Sequence, residues 1–208
     1  FLGTTDNQPL AFKVNNIRHG YLGNSIFFGY NAGAANTDVS NVGIGYQAML
    51  NNTNGSRNTA IGYEALAVNV IGRNNTAIGF RALYLNNGMV ETEYGIPNTA
   101  VGSRALFANT HGSENSPTGF RALVSNSDGN QNNAFGAYAL QANFNGYRNS
   151  AFGSYSLALN TTGYANTAMG NDALYKNNGY FNSALGASAM FNNTTGHDNT
   201  ALGYSALV

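Results

Sequence analysis

His19, His111 and His197 are the side chains best suited to general acid–base work or metal ligation in this 208-residue chain, and their spacing supports neither. No H-x-x-x-H pair arises, so no helix face would present two imidazoles to one metal ion. No serine, histidine and carboxylate recur in a register that would assemble a proton relay. The nine acidic residues form neither a calcium loop nor an obvious carboxylate pair for acid–base chemistry. With no cysteine, disulfides and thiolate metal sites are excluded. "GIGYQA", residues 43–48, lacks the third glycine of a dinucleotide fingerprint. The expectation is a protein that is not an enzyme and carries no cofactor and no metal.

Composition narrows the alternatives. Nine basic and nine acidic residues balance to a formal charge of zero. That removes the electrostatic footprint expected of a nucleic-acid or anionic-membrane partner. No apolar run approaches the ~18 residues that span a bilayer, so no direct membrane insertion is expected. Hydrophobic residues make up 43% of the chain, enough for a core, but many are alanine and the core must be thin. Phe1 is not an initiator methionine and the last residues, "ALGYSALV", fall inside a repeat, which reads as a piece of a longer polypeptide.

The elements that would position any site are repeats. The glycine closing the phrase N-T-A-I-G recurs at Gly29, Gly45, Gly62, Gly79, Gly102, Gly119, Gly136, Gly153, Gly170, Gly186 and Gly203, nearly always 17 residues apart. Four residues before it stands asparagine, as at Asn58, Asn75, Asn132 and Asn149. Seven after it stands a second, as at Asn69, Asn126, Asn143 and Asn160. Alanine follows at the third position (serine once, at Ser156) and Leu or Met at the fourth, with Gly33 the exception. A second glycine usually precedes the register glycine by seven, as at Gly55 and Gly72. Such invariance within one chain means that each unit meets the same neighbours, as in a solenoid.

A 17-residue unit with two glycines and one short apolar cluster cannot build a helical hairpin. Short strands and turns fit instead. The fold class is therefore all-β: a parallel β-solenoid of about eleven coils over residues 24–208. A non-repetitive segment, residues 1–23, would cap the first coil, whose open edge otherwise invites aggregation. At ~4.8 Å per coil the array is a rod on the order of 50 Å long. Asparagine amides are expected to form ladders between coils and to suit left-handed corners, with glycine where strain is greater. Strand alternation would send Ala60 and Ile61, and likewise Ala65 and Leu66, to opposite faces. One thin coil cannot bury both large columns, Ile44/Ile61/Ile78 and Met49/Leu66/Leu83. The expected assembly is an elongated homotrimer with Ile/Leu columns toward the common axis or the coil interior and Ala on the other side.

"NTAIGYEAL", "NSAFGSYSL" and "NTALGYSAL" resemble the head repeats of trimeric autotransporter adhesins, which are trimers of parallel β-rolls. The longer units "NTTGYANTAMG" and "NNTTGHDNTALGYSAL" are similar to repeats of phage tail-fibre-like proteins, some of which end in a self-cleaving chaperone domain. The resemblance covers nearly the whole chain. It implies an extracellular fibre or adhesin segment, on a cell surface or a phage-like particle, that supports attachment to a host through a glycan or protein receptor. Here the period is 17 rather than the shorter one common in adhesin heads.

Binding, if grafted onto such a scaffold, belongs where the repeat is interrupted. One step of 23 residues inserts Met89, Val90, Glu91, Thr92, Glu93 and Tyr94, at about residues 88–95, a candidate recognition loop. Arg81, Arg104 and Arg121 stand two after the register glycine in successive coils and form a candidate surface ladder for an acidic glycan, or a solvated, screened face. Tyr30, Tyr46, Tyr63 and Phe80, and also Tyr147, Tyr164 and Tyr180, form aromatic ladders that would stabilise a coil edge or offer a carbohydrate platform. An ice-binding or other carbohydrate-binding β-solenoid is the alternative. Thr59, Thr76, Thr99, Thr167 and Thr200 recur, but Ser116, Asn133, Ser150 and Ser183 interrupt the column. A left-handed β-helix acyltransferase would need apolar residues every six, and Ile61, Leu66 and Ile78 do not provide them.

Overall fold

The structure, a computed structural model, describes residues 8–86 and 97–208. It is an all-β parallel solenoid. Strands β1 (Leu10–Val14) and β2 (Ile17–Leu22) form an antiparallel hairpin that lies against β3 (Ile26–Phe28). From β3 onward every strand is three residues long and pairs in parallel with the next, one per coil. They are β4 (Val42–Ile44), β5 (Thr59–Ile61), β6 (Thr76–Ile78), β7 (Thr99–Val101), β8 (Ser116–Thr118), β9 (Asn133–Phe135), β10 (Ser150–Phe152), β11 (Thr167–Met169), β12 (Ser183–Leu185) and β13 (Thr200–Leu202). Equivalent residues stack in register, for example Thr59↔Thr76, Ala60↔Ala77 and Ile61↔Ile78.

Outside the strands, backbone bonds still run from coil to coil. In one turn, Glu64 N–H donates back to Tyr46 O (2.8 Å) and Leu66 N–H donates forward to Ala82 O (3.0 Å). This alternation depends on left-handed backbone at every second residue: Glu64 (φ 51°) and Leu66 (φ 54°), with equivalents in the other coils. Non-glycine residues resist that conformation by about 1–2 kcal/mol each. Two coil-to-coil bonds and burial of the leucine offset the strain.

Left-handed backbone also corrects the expected face assignment. "YEAL" is not a strand. Its twist turns Ala65 and Leu66 to the same side, and both are fully buried with Ala60. The interior therefore holds two alanine columns and the Leu/Met column together, and alanine does not form a separate outer side. Of the two large aliphatic columns, only that of Ile61 faces outward. The left-handed positions are also not held by the ladder asparagines: Leu, Met, Arg, Glu and Tyr occupy most of them.

The asparagines run through the interior as two ladders. In the column seven after the register glycine, Asn69 Nδ2 donates to Asn52 Oδ1 (2.6 Å), Asn126 to Asn109 (2.9 Å), Asn143 to Asn126 (2.7 Å) and Asn160 to Asn143 (3.1 Å). In the other column the backbone N–H of Asn58 donates to Asn41 Oδ1 (2.9 Å), Asn75 to Asn58 (2.9 Å), Asn132 to Asn115 (3.0 Å) and Asn149 to Asn132 (3.0 Å). The ladders converge on the second glycine of each unit. Gly129 O accepts from both Asn115 Nδ2 (2.8 Å) and Asn126 Nδ2 (3.0 Å). A Cβ on Gly129 would lie 2.3 Å from Asn126 Oδ1, so glycine is required there for space. The register glycine is required for conformation as well: Gly62 has φ +138° and its Cβ would meet Gly79 O at 2.4 Å. Every buried side-chain N or O atom among the described residues has a partner.

Three local departures keep the same interior. Phe27 takes the alanine position in the first coil, and Gly33 and Gly43 vacate space for its ring; a Cβ on either would fall 2.4 or 2.6 Å from it. That explains why Gly33 replaces Leu. Ser156, at an alanine position, satisfies its hydroxyl on Gly153 O (2.8 Å). Pro117 has no N–H to give, and the β7–β8 register narrows to Val101↔Thr118.

At the first coil the hairpin supplies what a preceding coil would. Gly29 N–H donates to His19 O (2.9 Å), as Gly45 N–H does to Phe28 O (2.7 Å) one coil later. The Arg18 guanidinium donates to Ala32 O (3.2 Å) and Gly33 O, and lies over the Tyr21 and Phe27 rings.

Candidate functional site: the outer surface of the coils

The repeat spends its invariant residues on the interior, so any site lies among the outward columns. The longest is apolar. Side chains preceding the register glycine project from the outer sheet face, from Phe28 through Ile44, Ile61 (38% exposed), Ile78, Phe135, Phe152, Met169 and Leu185 (48%). Strand alternation puts them there, because each follows an inward position, held by alanine in most coils and by Phe27 and Gly43 in the first two. Thr118 interrupts the column, and Phe120, two residues on, is exposed instead. Thr59 and its equivalents share the face, two residues before each apolar side chain.

Arg81, Arg104 and Arg121 form a column but not a free row of charges. Arg81 Nε lies 2.6 Å from Glu64 Oε2, one coil back. The hydrogen bond to Glu64, ahead of its charge, pushes the Arg81 guanidinium above its ordinary range. Arg81 also lies over Phe80 and Tyr84, Arg104 over Phe80, and Arg121 over Phe120. Pairing with Glu64 and with ring faces leaves less of this column for an acidic ligand.

The aromatic ladders are ring stacks. Tyr30, Tyr46, Tyr63 and Phe80 follow one another at 5.3, 4.9 and 5.3 Å, nearly parallel. Tyr147, Tyr164, Tyr180 and His197 stack at 4.8, 5.1 and 4.6 Å. Each internal ring has both faces covered and shows only its edge, so a sugar ring has no face to lie on within a ladder. Burial, then the neighbouring phenols Tyr147 and Tyr180, pushes the Tyr164 hydroxyl above its ordinary range. Tyr63 is raised in the same way, by burial first and then by Glu64.

Two histidine–carboxylate pairs escaped the search for sequence motifs. His111 Nδ1 lies 2.9 Å from Asp128 Oδ1, one coil away, and His197 Nδ1 lies 2.8 Å from Asp198 Oδ2. Thr110 Oγ1 approaches the same His111 Nδ1 at 3.2 Å. A nucleophile and an orienting carboxylate must use opposite ring nitrogens, so this trio cannot relay a proton. His111 and Asp128 are half exposed, and among the described residues no three His, Cys, Asp or Glu side chains gather to hold a metal ion.

The insertion from Met89 to Tyr94 lies outside the described residues. Its flanks continue the ladders unbroken, with Asn109 Nδ2 on Asn86 Oδ1 (2.9 Å) and Asn98 N–H on Asn75 Oδ1 (3.0 Å), each across 23 residues. No helix among the described residues is long and apolar enough to cross a membrane.

No family model, no curated protein and no solved structure matches this chain. Geometry and sequence alone carry the functional reading.

Proposed function

We propose that this chain is a structural segment of a fibre, of the adhesin or phage tail-fibre kind, that assembles as a homotrimer and holds a receptor-binding element away from a surface. The observation that carries this reading is the outward apolar column. Over ten inter-coil steps it is on the order of 50 Å long, and a three-residue strand is ~10 Å wide. Two such faces pressed together remove on the order of 1,000 Å² from water, the lower bound for specific association. Another copy in parallel register presents the same ~4.8 Å repeat along its whole length, which gives coil-to-coil matching that an unrelated partner lacks. Three copies around one axis bury each face against two others.

The resemblance of "NTAIGYEAL" to adhesin-head repeats supports the same assembly and an extracellular setting. An ice-binding reading has less support, because Ser116, Asn133, Ser150 and Ser183 break the threonine column that shares the face. Small-angle X-ray scattering tests the proposal. The expected particle is a rod on the order of 50 Å long whose scattering mass is three times the 21.9 kDa chain mass. A particle of one chain mass would overturn it.

A further inference from the structure

We infer that the groove between Tyr155 and Tyr175 is a binding site for a neutral saccharide. It is independent of the proposed trimer face and uses none of that column's residues.

The groove arises where two ring stacks end beside each other. Tyr155 stacks on Tyr138 at 4.8 Å and 11°. In the next coil its column continues as Asp172, which has no ring, so the far face of Tyr155 is left open. Tyr175 stacks forward on Phe191 at 4.9 Å and 4°. In the preceding coil its column holds the buried Ala158, so the near face of Tyr175 is also open. The two open rings lean together at 51°, with centroids 6.5 Å apart. They form a V whose surroundings are Asn171, Asp172 and Phe191, a groove of about 530 Å³.

Contrast the stack from Tyr30 to Phe80, whose last ring lies under Arg81 and Arg104. No cation lies over Tyr155 among the described residues.

Each part of the groove suits a sugar. An open aromatic face takes the C–H face of a pyranose, and a carboxylate next to an amide meets vicinal hydroxyls with an acceptor and a donor. Asp172 Oδ2 and Asn171 Nδ2 are already hydrogen-bonded to each other, which holds the two side chains together in the groove lining. The Asp172 carboxylate in the lining is offset by Lys176, whose Nζ stands 5.8 Å over the Phe191 ring, so the groove has no net negative charge to draw the other aromatic ligand, an alkylammonium ion.

The test is an NMR titration of the full chain with neutral hexoses and N-acetylhexosamines, as monomers and tetrasaccharides, with choline as the cationic control. Saturable shifts of the Tyr155 and Tyr175 ring signals are expected with at least one sugar and not with choline. Tyr155→Ala should weaken binding by about tenfold, the worth of one ring contact. Asp172→Ala should weaken it by about three- to tenfold, the worth of a hydrogen bond. Tyr46→Leu, in a closed ladder, should leave it unchanged. Circular dichroism checks that each variant keeps the solenoid, and a variant that does not is replaced by Tyr155→Leu or Asp172→Ser. No saturable shift with any sugar would overturn the inference. So would binding of choline alone, or equal loss in Tyr46→Leu.

Discussion

Two columns of similar side chains run the length of this solenoid with opposite fates. Leu66 and its equivalents from Met49 to Met190 are sealed inside, while Ile61 and most of its equivalents, five residues earlier in each coil, stand about two-fifths exposed. Hydrophobicity does not distinguish them; backbone conformation does. Ile61 ends an extended strand and follows an inward alanine, so it faces out. Leu66 has φ 54° and turns to the same side as the alanine before it. Burial of the leucine column builds the coil, and exposure of the isoleucine column leaves an apolar face for the proposed contact between copies. The two columns should therefore respond differently to mutation.

Truncating the inner column should have the largest effect. Leu123→Ala removes a fully buried side chain from a close-packed stack, and a loss of about 2–5 kcal/mol is expected. Chemical denaturation at several protein concentrations checks it, because the loss should appear at every concentration. The ladder beside it comes next. Asn126→Ala deprives Asn109 Oδ1 and Gly129 O of a donor inside the coil, a cost of about 1–3 kcal/mol. Asn126→Asp should be no milder, since it loses the same N–H donor and buries a charge.

On the outer column, Ile61→Ser should change the stability of the isolated coil by no more than about 0.5 kcal/mol. It should weaken association by about 0.6–1.2 kcal/mol per side chain, the share of a full burial left by its 38% exposure. A large loss of stability in a dilute sample would show that the column packs within one chain after all. The smallest effect concerns the edge ladders. The Tyr63 and Tyr164 phenols are raised in the fold, so their contribution is complete below the ordinary tyrosine range and is lost as pH rises through the raised values. Phenolate absorbance should show Tyr63 and Tyr164 ionising above the ordinary tyrosine range, and Tyr164→Leu should remove one of these two late phenols and leave the other.

Much of this is legible in the sequence. The repeat gave the coil length, short strands and turns within each unit, and asparagine ladders between coils, because a periodic environment forces periodic residues. The inward turn of Leu66 was not legible. Left-handed leucine is disfavoured in isolation, and only the bonds to adjacent coils make it tolerable. Of the exchange of Phe27 with Gly33 and Gly43, only Gly33 stood out in the sequence as an exception, and its cause needed the position of the Phe27 ring. The pairs Glu64–Arg81 and His111–Asp128 left a usable signal: each is separated by 17 residues, one full coil. Searching for chemistry at the period of the fold, rather than at helix spacing, would have found both. The open faces of Tyr155 and Tyr175 follow the same rule, since each marks a coil where the ladder residue changes type.

The division between the two columns is tested most directly by light-scattering mass. The wild-type chain should be compared with a variant carrying Ile61→Ser, Ile78→Ser, Phe135→Ser and Phe152→Ser. The expected result is a wild-type mass of three chains, and a variant of one 21.9 kDa chain with an unchanged circular dichroism spectrum. A wild-type mass of one chain, or a variant that keeps the wild-type mass, would contradict it.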